Sequence, residues 1–149
     1  MGMSTPEEQI AEERCWVLLA TASVGRLALS VHALPAIYPV QYYLDGRQIV
    51  ACLGHNQIPE RSLEDAVVAF AADAIDPATQ SGWAVQVLGR SIMPRQPGPD
   101  TGCGQPGAGQ VVGIQPQAIT GHAVHLCPLI DALRAADPAF PQFWPPRMT

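Results

Sequence analysis

The side chains best suited to redox or metal chemistry in this sequence are its cysteines, and their spacing argues against both roles. No two of them have the C-x-x-C spacing of zinc sites and thiol redox motifs. We therefore expect reduced thiols in a reducing compartment. Cys15, Cys52 and Cys127 are expected to be small buried side chains, and Cys103 is expected to lie in a loop.

The histidines do not form a metal-binding pattern either. His122 and His125 lie three residues apart on a segment with strand character, so their side chains should point to opposite faces. A haem ligand at His55 or His122 is an alternative to an ordinary surface or core histidine. The sequence has no G-x-S-x-G, H-E-x-x-H or Walker pattern, and "GCGQPGAG" lacks the lysine of a phosphate loop. We predict no metal site and name no catalytic residue.

Charge and hydropathy exclude several classes of function. Charged residues make up 14% of the chain, the formal net charge is −5, and the eight Lys and Arg residues are scattered. Nucleic-acid binding needs clustered cations, so we expect none. No apolar run is long enough to cross a bilayer, so no membrane association is expected. The acidic, polar start "MGMSTPEEQIAEER" is unlike a signal peptide, which favours a cytoplasmic protein.

A helix followed by a β-hairpin is predicted for the first third of the chain. The segment "TPEE" has the residue types of a helix start, and the helix should run to about Ala20. "GRLALSVHA" then alternates with the period of a strand, and "LDGR" between two β-rich runs predicts a tight hairpin turn. Pro35 and Pro39 lie in the first arm of this hairpin, so that arm should be an edge, bulged or rim strand.

The remainder of the sequence predicts mainly strands. "ERSLEDA" suggests a short helix, and "VVAFAADAI" is apolar on both faces, which predicts a fully buried strand. Asp76-Pro77 should start a turn that Gly82 ends, so that Trp83 enters the next strand. "QVVGIQP" and "GHAVHL" give further strand patterns after a Gly/Pro-rich loop over residues 94–109.

This order of elements predicts a mainly β protein, a six- to seven-stranded antiparallel barrel with short flanking helices. We expect a single domain over residues 1–149, with its core at about 12–127 and an aromatic, Pro-rich tail at 128–149. The tail could cap a pocket, cover a partner subunit or remain disordered. The low charge also favours an oligomer that covers part of the surface.

Three stretches resemble the pyridoxamine 5′-phosphate oxidase-like proteins of actinobacterial type. They are "RCWVLLATASVGRLALSVHALPAIYPVQYYLDGRQIV", "VAFAADAIDPATQSGWAVQVLGRS" and "VVGIQPQAITGH", which together cover roughly residues 12–125. The DPAT-x-x-GW block is the most specific of the matching motifs. The resemblance implies a split β-barrel with a Greek-key topology, built as a homodimer that binds FMN in two clefts at the subunit interface. Members of the family differ in activity, so the fold does not fix the function.

If the resemblance holds, a flavin cofactor would contact nine residues. The ring would lie along Pro39, Val40 and Gln41, the ribityl chain would lie beside Cys52 and Leu53, and Trp83 would form part of the pocket wall. The phosphate would meet Asn56, Gln57 and Arg61. The corresponding activity is an FMN-dependent oxidoreductase acting on a small organic molecule, with F420 as a less favoured cofactor.

The sequence departs from the family pattern where the phosphate should bind. Relatives carry a pattern like Arg-Thr-x-x-Gly-x-Lys, and an ungapped comparison places Cys52, Leu53 and Ile58 at the Arg, Thr and Lys positions. Losing two charge-assisted contacts costs roughly 1.5–3 kcal/mol for each. Arg61 could restore one contact, or could simply form a surface ion pair. Gln41, Ala84 and His122 are further replacements. The alternative function is therefore a flavin-free barrel that binds a small apolar ligand, either as a non-redox enzyme of specialised biosynthesis or as a non-catalytic binding protein.

Overall fold

An antiparallel β-sheet dominates the computed structural model, which describes residues 9–54, 57–93, 109–127 and 135–136. Helix α1 spans Glu12–Thr21, and a short 3₁₀ helix spans Glu60–Leu63. No helix among the described residues is long and apolar enough to span a membrane. The strands in chain order are β1 (Gln9–Ile10), β2 (Val24–Val31), β3 (Leu34–Asp45), β4 (Gln48–Leu53), β5 (Val67–Asp76), β6 (Ser81–Ile92) and β7 (Gln110–His125).

The sheet closes on itself into a barrel. Its strand order is β1-β7-β4-β3-β2-β5-β6, and β6 also pairs with β7, so that β2 to β7 form a ring and β1 adds to β7 outside it. β5 returns to pair with β2 after the β2-β3-β4 meander, which is the Greek-key connection. The predicted mainly β barrel of six to seven antiparallel strands is confirmed. Closure pairs strand edges that would otherwise be open to association with other chains.

The barrel interior is filled by the inward-facing residues of each strand. In β5 the buried residues are Val68, Phe70 and Ala72, and in β6 they are Val85 and Val87, which gives the alternation of a half-buried strand. A fully buried β5 was predicted, and that prediction is wrong, because its outward residues are exposed or only partly buried. On the outer face of β5, Val67, Ala69 and Ala71 are apolar and are followed by the charged Asp73.

Helix α1 is joined to the barrel by a buried hydrogen bond. The hydroxyl of Tyr42, on β3, donates to the backbone carbonyl of Leu19 at 2.6 Å. The ring of Tyr42 meets Phe70 edge-on, with centroids 4.8 Å apart. Leu19 and Cys15 are the buried residues of α1, so this helix contributes directly to the core.

The start of α1 lies later than the sequence predicted. The helix begins at Glu12 with Ala11 as its N-cap, and the preceding Gln9 and Ile10 pair as a strand with residues of β7. This pairing with a distant part of the chain overrides the local helix propensity. A short window of sequence cannot reveal such a pairing. The "TPEE" segment itself lies outside the described residues.

The predicted β3–β4 hairpin is confirmed. Gly46 in its turn has φ of +60°, a conformation that favours glycine. Pro35 and Pro39 are in the part of β3 that pairs with β2. β3 pairs with β4 only from Gln41 to Asp45. The proline-containing half of β3 is thus unpaired on its other side, as expected for proline in a strand.

The β5–β6 turn starts at Asp76-Pro77 as predicted, but it ends at Gln80, which has φ of 56°. The prediction that Gly82 ends it is wrong, because β6 begins at Ser81 and Gly82 is already paired with Ile75. A carboxylate oxygen of Asp76 accepts a hydrogen bond from the Ala78 amide at 2.8 Å, which is a local turn-stabilising bond. At Gly82, an added Cβ would lie 1.9 Å from the carbonyl oxygen of Ala74, so the two strands can approach only without a side chain there. Trp83 then enters β6 on the same face as Val85.

Two predicted segments lie largely outside the described residues. They are the Gly/Pro-rich loop, of which only residue 109 is described, and the aromatic tail, of which only residues 135–136 are described. The single-domain boundaries therefore stay a prediction.

Candidate functional site

Three of the residues expected at a cofactor lie together on the outer face of the barrel. Gln41 on β3 is paired with Cys52 on β4, and Cys52 is paired with Val111 on β7. Val24 on β2 is the other neighbour of Gln41, so these four residues form one transverse row. Pro39 lies on the same face two residues before Gln41. Gln41 is exposed and offers an amide donor and acceptor.

Val40 and Leu53 point the opposite way. Their side chains are 3% and 1% exposed and belong to the hydrophobic core. Since successive residues of a strand face opposite sides, Val40 cannot share a face with Pro39 and Gln41. Any contact of Val40 or Leu53 with a cofactor on the outer face would have to come from the main chain.

Two of the cysteines, Cys52 and Cys127, differ from what the sequence predicted. Cys15 is buried as predicted, and burial, with a smaller effect from Glu12, raises the pKa of its thiol. Cys127 is exposed, because it lies beyond the last ladder residue of β7, so its predicted burial is wrong. Cys52 is disulfide-bonded rather than a reduced thiol. Its position on the outer face, away from the core, is compatible with a covalent partner.

The position compared with the family's lysine is a core residue here. Ile58 is 3% exposed, and both of its backbone groups are held by the side chain of Gln110. Its amide donates to Gln110 Oε1 at 3.2 Å, and its carbonyl accepts from Gln110 Nε2 at 2.9 Å. Gln110 is the ladder partner of Leu53, so this clamp fixes the segment after β4 against the barrel. No local sequence pattern predicts this contact, because the two residues are far apart in the chain.

The three residues expected at the phosphate are not all described. Asn56 lies outside the described residues. Gln57 is exposed just before Ile58, and Arg61 is exposed on the 3₁₀ helix. Arg61 is the one basic residue of that 3₁₀ helix, and the acidic residues Glu64 and Asp65 follow it.

A cleft of about 350 Å³ opens beside this helix, at the end of β6 and the start of β7. Arg61 does not line it, and neither does any other described residue that was predicted to bind a cofactor. Its carboxylates would repel a phosphate group. Its described lining is Glu60, Leu63, Glu64, Asp65, Ser91, Ile92, Met93, Gln110 and Val111.

Two interactions hold the wall of this acidic cleft. The buried hydroxyl of Ser91 accepts from the Ala66 amide at 2.9 Å and donates to the Leu63 carbonyl at 2.6 Å. Arg90 pairs with a carboxylate oxygen of Asp65 at 3.1 Å. Both links join the segment after the 3₁₀ helix to β6, so the cleft has a fixed shape.

Trp83 on β6 does not share a face of the sheet with the Gln41–Cys52 row. It is half-buried, packs against the core and lies on the same face as Val85, whereas Gln41 and Cys52 face outward. The ladders through β2 and β5 bring Trp83 near the Val24 end of the row, since Arg26 pairs with Ala71 and Ala74 pairs with Trp83. The orientation of its side chain therefore separates Trp83 from the row.

The described residues contain no group of three His, Cys, Asp or Glu side chains close enough to hold a metal ion. His122 and His125 are both exposed on β7, and His32 lies in the β2–β3 turn with φ of 52°.

Comparison with known families decides the classification. The sequence profile of the family described as pyridoxamine 5′-phosphate oxidase matches residues 11–97, which is more than half of the chain. The chain belongs to this family. Over 77 residues it is also 42% identical to an uncharacterized protein of Mycobacterium tuberculosis, covering 48% of this chain and 51% of that protein. The chain thus spans about half the length of the curated relative it matches.

Solved structures of family-like proteins share the fold. The FAD binding protein from Mycobacterium smegmatis superposes with a TM-score of 0.60 at 22% identity, covering 78% of this chain and 97% of that one. A FAD-binding protein from Mesorhizobium loti gives a TM-score of 0.59 at 17% identity, covering 78% of this chain and 96% of the other. These likenesses show that the barrel shares its fold with both proteins.

Proposed function

We propose that this member of the pyridoxamine 5′-phosphate oxidase family is a homodimeric, cytoplasmic flavin-binding protein that acts as an oxidoreductase on a small organic molecule. The observation that carries the proposal is the outer-face row of Val24, Gln41, the disulfide-bonded Cys52 and Val111 in a chain of this family. The row offers apolar surface on both sides of one amide, which suits a flat ring with polar edges. A bound flavin supplies hydride transfer, and the protein positions its ring.

The outer surface of the barrel supports the homodimer. One transverse row crosses five strands without a polar residue: Ile37, Ala28, Ala69, Leu88 and Ala118. We call it the apolar row. Ile37 is 69% exposed and Leu88 is 45% exposed. Burying either side chain would lower the free energy, because apolar surface would leave water. A contiguous apolar surface of this kind is typical of a protein interface.

A second subunit could also supply a Trp83 side chain to the outer-face row. Within one chain Trp83 faces the core with Val85, whereas Gln41 and Cys52 face outward. Two symmetric copies can bring opposite ends of the same strand to a shared cleft, because a two-fold interface juxtaposes different residues of the two chains. The small-molecule ligand would then bind at the subunit interface, with each subunit contributing one part of the site.

The described residues offer few hydrogen-bond donors or cations to the phosphate group of a flavin. Arg61 is the cation available near Gln57, and Glu60 and Glu64 lie beside it. A single exposed arginine in place of an Arg and Lys pair predicts a weaker phosphate contact, by about two decades in affinity. We propose FMN as the cofactor, bound mainly through its ring and ribityl chain.

The acidic cleft favours a second candidate function. Its carboxylates, Glu60, Glu64 and Asp65, do not fit a phosphate, while Leu63, Ile92 and Val111 give it an apolar floor. These features support a flavin-free family member that binds a small, largely apolar ligand, as an enzyme without redox chemistry or as a binding protein.

Titration of the purified protein with FMN, FAD and F420 separates the two functions. The flavin-binding function predicts a yellow protein, or an FMN dissociation constant in the micromolar range. Arg61→Ala should weaken FMN binding about tenfold, since it removes a charge-assisted contact. Arg14→Ala, which removes an exposed cation from α1, is the matched control and should have no effect. A colourless protein that binds none of the three cofactors would leave the flavin-free function as the better account.

The homodimer is tested by the mass in solution. We expect the native protein to have the mass of a dimer, and the double variant Ile37→Glu/Leu88→Glu to have that of a monomer. Val17→Glu is the matched control, because Val17 is equally exposed but lies on α1 outside the apolar row. A native monomer, or a double variant that stays dimeric, contradicts this interface.

A further inference from the structure

The outer-face row contains a covalent bond. Cys52 is disulfide-bonded, and its half-buried side chain stands on the outer face between Gln41 and Val111. A reducing compartment keeps most thiols reduced, and the disulfides that form there are mostly transient ones that serve catalysis or redox sensing. In a cytoplasmic protein of the kind proposed above, a disulfide at this position indicates a redox function rather than a permanent structural link.

Elimination identifies the partner of Cys52. The chain has four cysteines, and Cys15 and Cys127 are free thiols. Cys103 is therefore the one remaining cysteine of the chain that can bond to Cys52. It belongs to the Gly/Pro-rich loop and lies outside the described residues. The disulfide thus joins β4 to the connection between β6 and β7.

The chain that follows Cys103 makes this pairing sterically accessible. Gly109 lies against the end of β4, since a Cβ added to it would overlap the carbonyl oxygen of Leu53. Leu53 directly follows Cys52, and it pairs with Gln110 at the start of β7. Cys103 precedes Gly109 by six residues, which can extend over at most about 20 Å. The backbone therefore returns to the neighbour of Cys52 shortly after Cys103.

A disulfide at Cys52 changes the surface that a flavin would contact. The Cys52 sulfur is on the outward side of the sheet, so the residue bonded to it occupies space above the row. That is the space expected for the ribityl chain. Val50 points to the same face two residues earlier, and it is only 2% exposed although it is not part of the core cluster. The outer face beside Cys52 is therefore covered in the disulfide-bonded form.

We propose that Cys52 is a redox modification site, at which a reversible disulfide with Cys103 weakens flavin binding to the outer-face row. The proposal rests on the flavin-binding function proposed above. Oxidation by hydrogen peroxide takes one hydrogen from each thiol, forms the S–S bond and reduces the peroxide to two water molecules. A dithiol reverses the change: its own two sulfurs form a disulfide, and its two hydrogens return to Cys52 and Cys103.

The disulfide is tested first, without flavin. Cells are quenched in acid with N-ethylmaleimide, before and after brief exposure to hydrogen peroxide, and the protein is digested without reductant. After peroxide we expect a linked pair of peptides that contain Cys52 and Cys103, with Cys15 and Cys127 alkylated. Without peroxide we expect a larger share of the protein with Cys52 alkylated. Alkylated Cys52 in both samples, or a Cys52 bond to another cysteine or to a second chain, overturns the proposal.

FMN titration then measures the effect on the row. The protein is reduced with dithiothreitol, freed of it by gel filtration under argon, and compared with protein oxidised by stoichiometric hydrogen peroxide. We expect the FMN dissociation constant to be about tenfold lower for the reduced protein, the equivalent of one polar contact. Circular dichroism at the titration temperature shows that both forms are folded.

Two serine variants separate this disulfide from other oxidation. Cys103→Ser leaves Cys52 a thiol without a partner in the chain, so it should bind FMN as the reduced protein does after either treatment. Cys127→Ser removes an exposed free thiol and should keep the tenfold difference. Equal FMN affinity of the two native forms, or a redox response that persists in Cys103→Ser, overturns the switch while leaving flavin binding intact. A protein that binds FMN in neither form overturns the cofactor proposal and the switch together, and the peptide map still reports on the disulfide itself.

Discussion

The hydrogen bond between Tyr42 and Leu19 offers a direct test of how α1 is attached to the barrel. Tyr42→Phe removes the hydroxyl that donates to the Leu19 carbonyl at 2.6 Å. The variant keeps the ring and its edge-on contact with Phe70. The change therefore isolates one buried polar interaction without opening a cavity.

The expected cost of Tyr42→Phe is about 1–3 kcal/mol of unfolding free energy. A net hydrogen bond contributes roughly 0.5–1.5 kcal/mol, and the Leu19 carbonyl that loses its partner adds part of its desolvation cost. For a chain of this length this corresponds to a decrease of about 3–10 °C in the midpoint of thermal unfolding. Urea denaturation followed by circular dichroism measures the free energy directly.

The same tyrosine predicts a pH dependence with a defined sign. Burial raises the pKa of Tyr42 to about 12 from its ordinary value of 10.0. The unfolded chain thus loses this proton at a lower pH than the folded protein. The stabilisation is fully present below about pH 10 and is lost as pH rises toward 12, with an amplitude of about 2–3 kcal/mol at most.

Tyr42→Phe should lose this alkaline component of the stability curve, whereas the matched variant Tyr43→Phe should retain it. Tyr43 is the next residue on β3 and faces the other side of the sheet. The reasoning is refuted if Tyr42→Phe changes the unfolding free energy by less than about 0.5 kcal/mol, the low end for a hydrogen bond. It is equally refuted if both variants lose stability in parallel between pH 10 and 12.

Two further substitutions test the turn and the clamp. Gly82→Ala should destabilise the protein by about 3 kcal/mol or more, because its Cβ would overlap a backbone carbonyl; Gly54→Ala, with open space around it, should cost less than about 1 kcal/mol. Thermal unfolding measures both, and equal effects would contradict the close approach. Gln110→Ala should cost about 1–3 kcal/mol, because it leaves both backbone groups of Ile58 without their partner. Faster amide hydrogen exchange at Ile58 checks this, and unchanged exchange would contradict the clamp.

The β3–β4 turn and the start of the β5–β6 turn were predictable from sequence because their causes are local. The β3–β4 turn needs a residue that adopts positive φ, which Gly46 supplies. The β5–β6 turn needs the side chain of Asp76 to bond to a backbone amide two residues later. Both requirements act over a few residues, so residue type and order are enough to place them.

The parts that sequence reasoning missed depend on distant contacts. The pairing of Gln9 and Ile10 with β7 displaced the start of α1. The bond of Gln110 to Ile58 joins residues on different sides of the Gly/Pro-rich loop. Strand alternation alone could have corrected one error: Val40 and Gln41 are adjacent, so they could not both face a cofactor with their side chains.

The separation of Trp83 from Cys52 makes the oligomeric state decisive for the cofactor proposal. In one chain, the side chain of Trp83 lies on the inner face with Val85, whereas Gln41 and Cys52 lie on the outer face, so a flavin on the outer face does not contact the Trp83 side chain of the same subunit. A dimer that buries the apolar row could add Trp83 only if its two-fold axis brings one subunit's β5–β6 turn toward the other's β4. The measured mass and the FMN titration are therefore coupled: a monomer that still binds FMN would remove Trp83 from the site and leave Gln41 and Cys52 as its centre.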